Sequence, residues 1–270
     1  MIIKMKSGAP RFPSWADGAR QQLARFLLVF ILASFAQSVA AVEDAKSIVN
    51  DAIQYWRDTS SDARVQMVIH RPDWERKLEF RSITQGEKKA LVRVFAPKKD
   101  AGSATLLLDR VMWSFTPQVN RVIQIPSSMM QQNWMGSDYA NGDVAKSDRI
   151  IDDYKHVLIG QEKNEGQIVR VIESTPSADA AVVWGKEILR IRADKVLLGH
   201  EYYDQDGKLM KRMISLEVKL MGGKPTVTVQ RMEDLTKSDS WTEIRLVSIA
   251  YGVHFPDGYF LPANLRNPGL

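Results

Sequence analysis

The sequence predicts a mainly β protein, an antiparallel sandwich or barrel-like sheet of about a dozen strands. Two observations carry this expectation. Short runs of alternating apolar and polar residues recur from Val65 to Tyr251, with turn residues between them. No stretch of crossover-helix length separates successive runs, which disfavours a parallel sheet. The 270 residues include no Cys. The fold is therefore expected to hold by its core, without cross-links or a lipid-modified N-terminal Cys.

The leader comes first. Arg25 precedes the apolar run Phe26–Phe35, and the small residues Ser38-Val39-Ala40-Ala41 follow. This order describes an export signal cleaved after Ala40 or Ala41, with an uncleaved membrane anchor as the alternative, because about 20 apolar residues are needed to span a bilayer. Residues 1–41 are thus expected to be a signal peptide and residues 42–270 a single domain. Five basic residues against Asp17 place +4 of the formal +5 charge within residues 1–40, leaving +1 for the rest. Its basic and acidic residues are interleaved, without the phosphate-tracking stripe of a nucleic-acid binder. Nucleic acid is not an expected partner. A domain of that size hides on the order of 70–75% of its unfolded surface, enough for a self-sufficient core.

The exported chain begins with a helix. Ala45, Ile48, Val49, Ala52, Ile53 and Trp56 form one apolar stripe at helical spacing. Lys46, Ser47, Asn50, Asp51, Gln54 and Arg57 take the opposite side, and Glu43 and Asp44 suit the first turn. Strand runs follow around Val65–Ile69 and Leu78–Arg81, then at Leu91–Ala96, Thr105–Leu108, Val111–Thr116 and Val119–Ile125. The series resumes at Lys155–Gln161, Ile168–Ser174, Glu187–Ala193 and Leu197–Tyr203. It ends with a run around Leu216–Leu220, then Thr226–Met232 and Trp241–Tyr251. Arg71-Pro72-Asp73, Gly86, Asp204-Gln205-Asp206-Gly207 and Gly222-Gly223 supply turns.

Pro126–Ser147 breaks the alternation. It carries Met129, Met130, Trp134, Met135 and Tyr139 among Ser, Asn, Gly and Asp. A strandless segment of that length in a compact domain is either functional or a plug for one end of the sheet. Methionine suits surfaces that meet irregular apolar partners. Strands apolar on both faces raise a related choice. Trp113 and Phe115 point one way and Met112 the other, so both faces need cover, from a second packed layer or from a ligand.

Catalytic signatures are weak. There is no Gly-x-Ser-x-Gly elbow and no His-Glu-x-x-His pair. His70, His156, His200 and His254 are dispersed, and Asp148, Asp152 and Asp153 read as a solvated turn. Asp204-x-Asp206-Gly207 starts like a calcium loop but lacks the later ligands. A hydrolase using Ser137, Asp138 and His156 is the weakest reading. No catalytic residue, metal or cofactor is expected.

Met112-Trp113-Ser114-Phe115-Thr116-Pro117, Arg121, Ile125-Pro126, Met129-Met130, Trp134-Met135-Gly136-Ser137-Asp138-Tyr139 and Asp143 resemble the outer-membrane lipoprotein-sorting family. Tyr202-Tyr203-Asp204, Gly207-Lys208, Lys211, Met232-Glu233-Asp234, Phe260 and Asn264-Leu265 agree in order and spacing. The resemblance covers residues 42–268. It implies an open, incomplete antiparallel β-barrel with an N-terminal helix and a short helical lid on its concave side, and a cavity for the acyl chains of a lipid or lipoprotein. It implies a periplasmic, LolA-like carrier between the inner and outer membranes, with transient membrane contact and an exporter of the resistance-nodulation-division (RND) type as partner. The alternative is a ligand-free accessory subunit of such an exporter. The expected lining residues are Trp113, Phe115, Arg121, Met129, Met130, Trp134, Met135 and Tyr139.

Overall fold

The computed structural model describes residues 44–145, 149–180 and 182–267. The expected signal peptide lies outside the described residues. The chain is mainly β, with one antiparallel sheet of thirteen strands that does not close into a barrel. Helix α1 (Ala45–Arg57) comes first. A meander follows: β1 (Ser60–Arg71), β2 (Trp74–Gln85), β3 (Lys89–Ala96), β4 (Ala104–Leu108), β5 (Val111–Thr116) and β6 (Arg121–Gln124). Two short helices, α2 (Asn141–Ala145) and α3 (Arg149–Asp153), precede the second meander. That meander is β7 (Tyr154–Asn164), β8 (Gln167–Pro176), β9 (Lys186–Arg192), β10 (Leu197–Tyr203), β11 (Leu209–Met221), β12 (Lys224–Asp234) and β13 (Trp241–Tyr251). No helix among the described residues is long and apolar enough to cross a membrane.

The two meanders join where β1 pairs with β13, which leaves β6 and β7 as the two outer edges. The chain must therefore travel from one edge of the sheet to the other between residues 125 and 153, crossing a face. Topology thus converts the strandless segment into a cover.

Direct cross-strand partners share a face of the sheet. The pairings Leu158–Ile172–Leu189–His200–Met213–Met232–Thr242–Ile69–Arg76 run across nine strands and define the concave face. Helix α1 packs there over β7–β9: Ile48, Val49, Ala52 and Ile53 join Tyr154, Ile172 and Leu189 in one buried cluster. Asp44 caps the helix, accepting a hydrogen bond from the Lys46 backbone N–H at 3.3 Å. Two side chains depart from the expected stripe. Arg57 is buried and Trp56 is 45% exposed, because the last turn of α1 leaves the packed cluster and borders a hollow.

The crossing segment covers the other part of the concave face. Ile125, Met130, Trp134, Tyr139 and Ala145 pack with Met67, Leu78, Phe80, Val92, Met213 and Met232. The convex face of β2–β5 has its own cover, since Phe255, Phe260 and Leu265 pack on Ile83, Leu91, Leu106 and Phe115. The Arg93 guanidinium secures that cover, donating to the Leu265 carbonyl at 3.0 Å. For this part of the sheet a second packed layer, not a ligand, answers the double-sided hydrophobicity. Residues 117–119 form a 3-10 turn instead of entering the sixth strand, with Asn120 left-handed at φ 49°.

Candidate functional site

A hollow of about 510 Å³ lies between α1, the crossing segment and the concave face, within the range of small-ligand cavities. Its floor is apolar, with Ala63, Val65, Val92, Leu107, Met213 and Leu246 among its residues. Trp56 and Val183 stand half-exposed at its border. A second hollow of about 550 Å³, bordered by Arg76, Asp100, Ser103, Thr105 and Ser114, is more polar. Trp134 belongs to the walls of both.

Trp134 is held on three sides. Its ring meets Phe80 edge to face at 6.0 Å and 85°. The indole Nε1–H donates to Thr105 Oγ1 at 3.1 Å, and the backbone N–H donates to the Tyr139 carbonyl at 2.7 Å. Met135 next to it adopts φ 52° and Gly136 φ 78°, a left-handed pair that reverses the chain. The fully buried Ser137 closes this turn, its hydroxyl donating to the Trp134 carbonyl at 2.7 Å. That bond gives the serine a structural task, while His156 bonds Ser174 on β8.

Further polar contacts tie the crossing segment to the sheet. Asp138 takes a forked pair of bonds from Arg71, at 2.9 and 3.0 Å, and a third from the Thr242 hydroxyl at 2.6 Å. Asp143 accepts from Lys211 at 2.5 Å. Gln230 donates to the Tyr139 hydroxyl at 3.0 Å. Burial holds the Tyr139 hydroxyl well above its usual titration range.

One wall of the first hollow is polar. Tyr154 donates to Glu187 Oε1 at 2.6 Å, His200 Nε2 lies 2.5 Å from Glu187 Oε2, and the Tyr202 hydroxyl lies 3.1 Å from His200 Nδ1. The rings of His200 and Tyr202 stack at 4.2 Å. Burial raises the titration of both tyrosines, and the anionic Glu187 adds to it. Among the described residues no group of three His, Cys, Asp or Glu side chains is placed to hold a metal ion.

A family model described as an uncharacterized protein matches residues 86–267, well over half of the chain. The chain belongs to that family. Its fold is LolA-like. A DUF1329 family protein from Desulfovibrio piger superposes with a TM-score of 0.74 at 23% identity, covering 83% of this chain and 100% of the other. A domain described as an outer-membrane lipoprotein-sorting protein, from Vibrio parahaemolyticus, gives 0.73 at 21%, covering 83% and 98%. A LolA superfamily protein from Nitrosomonas europaea gives 0.66 at 24%, covering 81% and 97%. None of the curated proteins matches.

The eight expected lining residues are distributed unequally. Met130, Trp134 and Tyr139 border the first, apolar hollow. Met135 and Phe115 border the second one, and Met129 packs beside the crossing segment's cluster. Trp113 and Phe115 pack within the convex cluster, because alternation along β5 turns Met112 and Ser114 to the concave side. Arg121 is exposed on edge strand β6 and borders neither hollow. Sequence reasoning missed Tyr154, Glu187, His200 and Tyr202. A faint signal existed in His200-x-Tyr202, two polar rings on the same face of one strand.

Proposed function

We propose that the protein is a soluble periplasmic carrier that shelters the acyl chains of a lipid or lipoprotein and moves them between the inner and outer membranes. The observation that supports this most is the apolar hollow left between α1 and the crossing segment. Moving a lipid through water requires hiding its chains, and each buried methylene is worth about 0.8 kcal/mol. A chain of about 16 carbons offers on the order of 10 kcal/mol before ordering costs. No bond need be made or broken. Release then falls to a membrane, an exporter of the RND type, or movement of the crossing segment.

The half-buried Leu246 on the cavity floor provides the test. Native mass spectrometry of protein taken from the periplasm should reveal co-purifying lipid, and Leu246→Glu should remove it while the protein stays folded. Lipid-free wild-type protein, or equal lipid in the variant, would refute the carrier reading. A second reading, an accessory subunit docked on an exporter without its own ligand, draws on Val157 and Ile159, exposed on edge strand β7. Exporter capture by a lipid-free protein would favour it.

A further inference from the structure

The polar wall of the hollow has a direction. Register puts His156, Ser174, Glu187, Tyr202 and Lys211 in one cross-strand row, with Glu187 opposite Tyr202 and Tyr202 opposite Lys211. The next row on that face, Ile172, Leu189, His200, Met213 and Met232, is apolar apart from His200. His200 leans back into the polar row to meet both Glu187 and Tyr202.

The hydrogen atoms can be assigned. With Glu187 ionised and His200 neutral, the contacts assign the His200 proton to Nε2, toward Glu187, and leave Nδ1 to accept from the Tyr202 hydroxyl. Tyr154 spends its hydroxyl proton on the other Glu187 oxygen. Every donor in the chain is thereby consumed. What remains is lone pairs: those left on the Glu187 oxygens and on the hydroxyl oxygens of Tyr154 and Tyr202.

We propose that the chain Tyr154–Glu187–His200–Tyr202 receives the hydrogen-bond-donating head, a hydroxyl or an amine, of an amphipathic ligand whose tail occupies the apolar floor. The site rests on the carrier reading and specifies its cargo. It disfavours carboxylate and phosphate heads, which bring no donor and meet the negative charges of Glu187 and Asp143. Nearby cations are largely engaged: Lys211 with Asp143, Arg149 with Asp153 at 3.4 Å, and Lys195 with Asp51 at 2.9 Å. Arg57, buried at the end of α1, also borders the hollow.

Three probes with one tail decide the matter: dodecanoate, 1-dodecanol and dodecylamine, titrated calorimetrically into delipidated full-length protein. The alcohol and amine should bind about tenfold or more tightly than the acid, the scale of one hydrogen bond to a charged group. Glu187→Gln should erase most of the amine's advantage. Tyr202→Phe, which keeps the ring, should weaken the alcohol and spare the acid. An amine that outranks the alcohol would place the head on Glu187, and equal affinities would place it on the neutral oxygens. Equal affinity for all three probes overturns the head-group site and leaves the carrier reading standing. An acid that binds tightest also overturns it. Failure of all three to bind removes the carrier reading and the site together.

Discussion

Asp138 and Arg71 meet in a forked ion pair across 67 residues of sequence, and the Asp138 side chain has no solvent exposure. Thr242 completes the arrangement by accepting from the Asp138 backbone N–H at 2.9 Å and donating to its carboxylate. These charge-assisted bonds fasten the crossing segment to the sheet. They give the Trp-Met-Gly-Ser-Asp block a physical role: Trp134 divides the two hollows, Met135 and Gly136 turn the chain, Ser137 locks the turn, and Asp138 anchors it.

Breaking that anchor should be costly. Asp138→Asn leaves a largely buried guanidinium facing a neutral amide, and losing one partner of a buried pair costs about 3–5 kcal/mol. A fall in Tm of about 10 °C is expected for a domain of this size. Amide exchange should accelerate across residues 126–145 ahead of the strands. Uniform acceleration throughout the sheet would show that the pair supports the whole fold and not this segment.

Removing the partition should join the hollows. Trp134→Ala deletes the ring shared by both walls, with an expected loss of about 3–5 kcal/mol. A longer acyl chain should gain affinity relative to a shorter one in this variant. Unchanged chain-length preference, measured by titration, would mean that the crossing segment collapses into the gap.

Gly185 marks a close approach between backbones. A Cβ added there would lie 2.3 Å from the Asp204 carbonyl oxygen, beside the bond from the Gly185 N–H to the Tyr203 carbonyl. Gly185→Ala should cost about 1–3 kcal/mol in chemical unfolding. It should also disturb Trp184, whose ring lies 5.4 Å from Tyr202. An unperturbed tryptophan signal would contradict that coupling.

His156 sets an acidic limit on stability. Burial lowers its pKa, so the folded state resists protonation while the unfolded chain accepts a proton near pH 6.5. The contribution is complete above that pH and declines as pH falls toward the folded-state value. His156→Gln should flatten the stability profile across this window in denaturant titrations. A profile identical to wild type would assign the acid sensitivity elsewhere.

Lys224 joins the end of α1 to the β11–β12 hairpin. Its ammonium donates to Asp58 at 2.7 Å and to the Tyr55 carbonyl at 2.6 Å, and lies 3.9 Å from the Tyr251 ring centroid. The bond from Lys224 holds the Asp58 carboxyl below its ordinary range. This stabilisation is present above about pH 4 and lost as pH falls through the lower folded-state value. Lys224→Met should weaken that acid-range slope, leaving the part due to the Thr59 bonds, and fray the last turn of α1, seen as faster exchange at Tyr55 and Trp56.

Local pattern determined much of this protein. The period-2 runs marked about a dozen strands near their observed positions, and the stripe from Ala45 to Ile53 marked α1, because alternation and helical spacing are recorded within a few neighbouring residues. The absence of alternation after Pro126 likewise marked the crossing segment. Which face of a strand met the hollow was a different matter. Trp113 and Met112 are both apolar, and only the partners supplied by residues 253–266 on one side and 125–145 on the other decide between them. The polar wall is less legible still. Glu187, His200, Tyr202 and Tyr154 become neighbours through the register of separate strands, and register is a property of the assembled sheet that no single segment encodes.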